Sequence, residues 1–262
     1  MGVTRKTQGK REDRGATIGV ALIYLMAVTV NELLATLYAP RWGLALHGSL
    51  LLIMLLHTAM IWEQPLRDLL LTLAFAPLIR MVSLTLPLIH FPLVYWYLLT
   101  SIPLFAAVYI AMRTLRYDGA DVGMTVRRWW LQLPLALIGL GFGLTEYGIL
   151  KPQPLAATFT LRDIWLPALI LLVSTGFAEE IIFRGLMQRA ARDVLGEFSV
   201  TYVSLLFAVL HVGYKSVTDV IFVFGVAIVF GYITERTRSI FGVSLAHGLT
   251  NIVLFLVGPF VL

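Results

Sequence analysis

Apolar residues run in blocks of about 20 along almost the whole chain, and the breaks between blocks are short and marked by Pro, Gly or charge. As a helix, a block of that length covers a hydrocarbon layer of ~30 Å. The pattern predicts helical spans at 16–38, 42–62, 68–90, 93–112, 130–150, 163–188, 198–213, 217–234 and 240–260. The fold class that follows is all-α, a polytopic transmembrane helix bundle of eight or nine spans. Residues 16–262 then form a single transmembrane domain behind a basic segment at 1–15, which leaves no room for a soluble domain.

Composition agrees with the pattern. The chain is 59% hydrophobic and 13% charged, against roughly half and a quarter in soluble domains. The opening "MGVTRKTQGKREDRG" is basic, but the apolar run behind it is long and lacks a small-residue cleavage site, so it reads as an uncleaved first span and not a signal peptide. There is no cysteine, which excludes disulfides, zinc thiolates and thiol nucleophiles.

Charge sets the expected orientation. With the N-terminus in the cytoplasm, most of the 20 Lys and Arg residues fall inside, among them Arg67, Arg113, Arg116, Arg127, Arg128, Arg189, Arg192, Arg236 and Arg238. Arg41, Lys151, Arg162 and Lys215 fall outside. The positive-inside rule expects this bias, which puts the C-terminus outside, in a cell-membrane protein. The net charge of +5 then reads as topology and contact with anionic lipid, not as nucleic-acid binding.

The chemistry is concentrated in the second half. In "STGFAEEIIFRG", Ser174 to Gly185, two glutamates and an arginine interrupt an apolar run. Each ionisable group at a bilayer centre costs on the order of 3 kcal/mol. Glu180 and Arg184 share a helical face and can pair, whereas Glu179 is turned by about 100° and has no local partner. "FAVLH" carries His211, and "HGLTN" puts His247 and Asn251 one turn apart. Counted at ~1.5 Å per residue from the helix ends, Glu179, His211, His247 and Asn251 reach similar depths, about 15–20 Å below the cytoplasmic face. Three helices thus bring a carboxylate, two imidazoles and a carboxamide to one level. Phe207, four before His211, is expected to help orient the imidazole, and Gly185 and Gly248 to allow close helix contact.

"EEIIFR", "FAVLH" and "HGLTN" in this order resemble the E-E-x-x-x-R, F-x-x-x-H and H-x-x-x-N/D series of the CPBP family, also called the Abi or CaaX-protease and bacteriocin-processing family, which includes the Rce1-type prenyl-protein endopeptidases. The likeness covers about 163–256. It implies an intramembrane endopeptidase acting on a membrane-associated or prenylated protein or peptide, with membrane lipids as its surroundings. Glu179 and His211 would polarise a water, His247 and Asn251 would stabilise the oxyanion, and Glu180 and Arg184 would hold the site together. A cavity open to the cytoplasm would supply water and peptide.

Family members are often labelled metalloproteases, and Glu179, His211 and His247 form a conceivable zinc set. A metal-free site with no cofactor is favoured, because no H-E-x-x-H helix is present and Asn251 beside His247 suits an oxyanion donor. Two other classes compete. A proton-coupled transporter also uses buried Glu and His, but no repeat relates the two halves. A non-catalytic scaffold or immunity protein is expected to lose a catalytic residue, and none is lost here. Elsewhere, Glu32 and Arg80 are expected to form a structural pair, and Asn31, Glu146, His47, His57 and His90 to be packing or interfacial residues.

Overall fold

The computed structural model describes residues 2–85, 92–126 and 128–262, with side chains from residue 15 onward. His90, Arg127 and the side chains of the basic segment at 1–14 lie outside the described residues. Every regular element among the described residues is a helix: α1 (Gly2–Leu37), α2 (Pro40–Met60), α3 (Gln64–Leu73), α4 (Phe75–Thr85), α5 (Leu93–Leu115) and α6 (Trp129–Leu150) come first. Then follow α7 (Leu161–Ile170), α8 (Ala178–Glu180), α9 (Gln188–Leu195), α10 (Ser199–Val209), α11 (Val217–Thr237), α12 (Phe241–Ile252) and α13 (Gly258–Val261). Eight runs among the described residues are long and apolar enough to cross a membrane. This is an all-α polytopic bundle of an integral membrane protein.

The predicted spans at 163–188 and 198–213 are the two arms of one continuous run, Leu161–Tyr214. It folds back at Gly196, whose φ of 60° and ψ of −129° belong to a region that only glycine enters readily. Phe183 and Phe207, on opposite sides of this turn, meet edge to face at 4.8 Å, as the arms of a hairpin must. The third span divides into α3 and α4, because Pro77 lacks an N–H and its ring crowds the carbonyl of Leu73.

Small residues set the closest approaches. A methyl group added to Gly143 would meet the carbonyl oxygen of Thr250 at 2.6 Å, and Gly139 lies against the backbone of Ala246, so α6 and α12 touch through a G-x-x-x-G face. Gly176 lies against the backbone of Ser244 and Gly248, and Gly248 against that of Leu172. The expected role of Gly248 is thus met between helices, while Gly185 lies against the backbone of Val122 in the link before α6 and not against a helix. Trp42, Trp62, Trp129, Trp130 and Trp165 are exposed near helix ends, where indoles meet the water–lipid boundary.

The N-terminal spans are tied to the hairpin by charge. Arg80 Nε donates to Glu32 Oε1 at 2.5 Å, which is the expected pair, and the same guanidinium donates to the carbonyl of Leu210. His47 is fully buried, with Nε2 3.2 Å from the same Glu32 oxygen.

Candidate active site

The glutamate pair sits on α8, a single α-helical turn between two π-helical stretches, Leu171–Phe177 and Ile181–Met187. A third π-helical stretch, Val253–Val257, follows α12 just beyond Asn251. Wide turns of this kind inside helices recur at functional sites, and here they adjoin α8, which carries Glu179 and Glu180, and α12, which carries His247 and Asn251.

Glu180 is fully buried. Its Oε1 accepts from Arg184 Nη1 at 3.0 Å and lies 2.8 Å from His247 Nδ1. Sequence reasoning pairs Glu180 with Arg184, but the bond to His247 is invisible until α8 and α12 are packed. It orients the ring: with Nδ1–H donating to Glu180, Nε2 points toward Glu179, whose Oε2 lies 3.9 Å away. Glu179 itself keeps 30% of its side chain exposed, so the two neighbouring glutamates have opposite surroundings.

His211 closes the other side. Its Nδ1 is 2.9 Å from the Phe207 carbonyl, so Nδ1 carries the hydrogen and Nε2 keeps its lone pair toward the cavity. The Phe207 ring packs 4.7 Å from the imidazole, and the Arg184 guanidinium lies 4.5 Å above the same ring. Phe207 therefore orients His211 through both its ring and its carbonyl. Asn251 Nδ2 donates to Thr175 Oγ1 at 2.8 Å, and Thr175 in turn bonds the carbonyl of Leu171. One amide hydrogen of Asn251 is thereby held and the other is left for a ligand.

Glu179, Phe207, His211, His247 and Asn251 line one cavity, whereas Glu180 and Arg184 sit behind it. A second cavity, of about 190 Å³, shares Glu179, Phe207 and His211 and reaches Arg80 and Ser83. Tyr97 and Tyr214 line both, and the Tyr214 ring stacks on His211 at 6.2 Å. Among the described residues no three of His, Asp and Glu form a group that could hold a metal; Glu179, His211 and His247 line one cavity.

Sequence reasoning passed over several lining residues. Thr175 lies four before Glu179, so helical spacing alone was enough to find it. Tyr214 falls in a stretch read as a turn. Glu146, expected to be a packing or interfacial residue, is 7% exposed and lines the same space as Glu179 and His247.

Neither a curated protein nor a solved structure matches the chain. Residues 161–253 match the family described as type II CAAX prenyl endopeptidase Rce1-like, a stretch that holds every motif residue above. That segment of the chain is therefore Rce1-like, in keeping with the CPBP-type motif series.

Proposed function

We propose that this protein is an intramembrane endopeptidase that hydrolyses a peptide bond of a membrane-associated or lipidated protein without a metal ion. The observation that carries the reading is the division of labour among four side chains on one cavity. Glu179 and the free Nε2 of His211 are acceptors, while His247 and Asn251 are presented as donors.

A water between Glu179 and His211 gives a hydrogen bond to the imidazole and its proton to the carboxylate as its oxygen attacks the peptide carbonyl carbon. The oxyanion that forms accepts from Asn251 Nδ2–H and from His247 Nε2–H, the latter when the ring is imidazolium held between two glutamates. Collapse of the tetrahedral centre breaks the C–N bond, and Glu179 passes its proton to the leaving nitrogen. Carboxylic acid and amine are released, and the base is restored. Glu180 and Arg184 keep the donors aimed. Family membership over 161–253 supports the choice of reaction.

The test is cleavage of a membrane-anchored peptide by the purified chain, with proteomics of cells expressing wild type or Glu179→Gln to find the natural cut site. We expect cleavage that persists with phenanthroline. Loss of activity to the chelator and its return with zinc would replace this mechanism with a metal-dependent one.

A further inference from the structure

Glu146 is a carboxyl group that the mechanism above does not use. It is 7% exposed and makes no hydrogen bond or ion pair among the described residues, yet it lines the cavity. Behind it is Asp219, fully buried, with neither carboxyl oxygen partnered among the described residues. Asp219, His247 and Glu179 are the charged groups close enough to act on Glu146. Two carboxyl groups without donors are expensive in a bilayer, and such residues are retained where a ligand completes them.

The packing of α6 on α12 fixes how far this group lies from the chemistry. Gly143 touches Thr250 and Val253, and Val253 is about 9 Å beyond His247 along the helix. Glu146 lies about 4.5 Å further along α6, and its side chain tilts back toward the helix N-terminus. Along the bundle its carboxyl group therefore stands about 10 Å from the level of His247, the reach of about three residues of extended peptide, and about 4 Å from that of Asn251. The rings of Tyr97, Phe222 and Phe255 line the same cavity and favour a cation over an anion there.

Resting on the protease reading, we propose that Glu146, backed by Asp219, recognises a cationic group of the substrate, a Lys or Arg side chain or a free N-terminal ammonium, one to three residues from the scissile bond. Such a group supplies the hydrogen-bond donors that no described side chain gives Glu146. The site selects substrates and takes no part in bond cleavage.

The experiment uses the full chain in lipid vesicles and quenched fluorescent peptides of one apolar sequence. A single Lys, with Gln as control, is moved through each position on both sides of the cut, and every peptide is made with a free and an acetylated N-terminus. Wild type is expected to favour the cation at one distance by at least tenfold in kcat/KM, on the order seen when a buried partner is left unpaired. Glu146→Gln should erase that preference, and Glu146→Asp, which keeps the charge on a shorter arm, should reduce it. Dependence on Lys identifies a side chain as the ligand, and dependence on the free amine identifies the terminus. Cleavage of all peptides by wild type with equal efficiency, or a preference that survives intact in Glu146→Gln, overturns the subsite alone. Absence of any cleavage by wild type overturns the protease reading and the subsite with it.

Discussion

Glu179 and Glu180 are neighbours in sequence and opposites in environment, and their variants should separate accordingly. Glu179→Gln keeps size and hydrogen bonding but removes the proton acceptor, so turnover should fall by ~10²–10⁴-fold with little change in melting temperature. Glu180→Gln strands the Arg184 charge and loosens His247, so activity and stability should fall together. Breaking a buried pair costs about 3–5 kcal/mol. Arg184→Met should be milder, because Glu180 still has His247 as a donor. Melting curves and cleavage rates for the three proteins in one detergent decide it. A stable, inactive Glu180→Gln beside an active Glu179→Gln would show that the two roles are reversed.

At the scale of elements, the site depends on backbones that touch. A methyl group at Gly176 would lie 2.6 Å from the Ser244 carbonyl and 2.8 Å from the Gly248 nitrogen, so Gly176→Ala must push α12 away from the glutamate helix. We expect a loss of about 1–3 kcal/mol, as for other overpacked sites, and a larger loss of activity than the stability change explains, because the His247–Glu180 bond spans that contact. Alanine at Gly225, where an added methyl meets nothing within 4 Å, is the control. The periodicity of apolar blocks made the spans legible, and the spacing of charge within them made the motif residues legible. The fold-back at Gly196 was legible only as a break between two spans, since the π-helical stretches and the φ of one glycine leave no mark on apolar periodicity. The bonds of Thr175 to Asn251 and of Glu180 to His247 join helices distant in sequence, and nothing local announces them. Glu146 was passed over for the same reason: one carboxyl group in a span looks the same whether it faces a neighbour or a cavity.

For the whole molecule, the hairpin leaves an odd number of crossings if each of its arms is counted as one, which puts the two chain ends on opposite faces. The arginines support the direction. Arg184, Arg189, Arg192 and Arg238 border one pocket at one end of the bundle, while Lys215 borders a separate groove with Leu37. Reporter tags should therefore place the N-terminus in the cytoplasm and the C-terminus outside. Both tags on one side would mean that one arm of the hairpin does not cross.

The grip of Arg80 on the carbonyl of Leu210, the residue before His211, reaches from outside the Rce1-like segment into its centre. The anchor of that arginine, Glu32, belongs to the first helix. The Rce1-like segment is therefore not self-sufficient: grafted behind the leading helices of another protein, it would lose the donor that Arg80 gives to the Leu210 carbonyl. A redesign of those leading helices should therefore keep the carboxylate that holds Arg80, or offer the Leu210 carbonyl another donor.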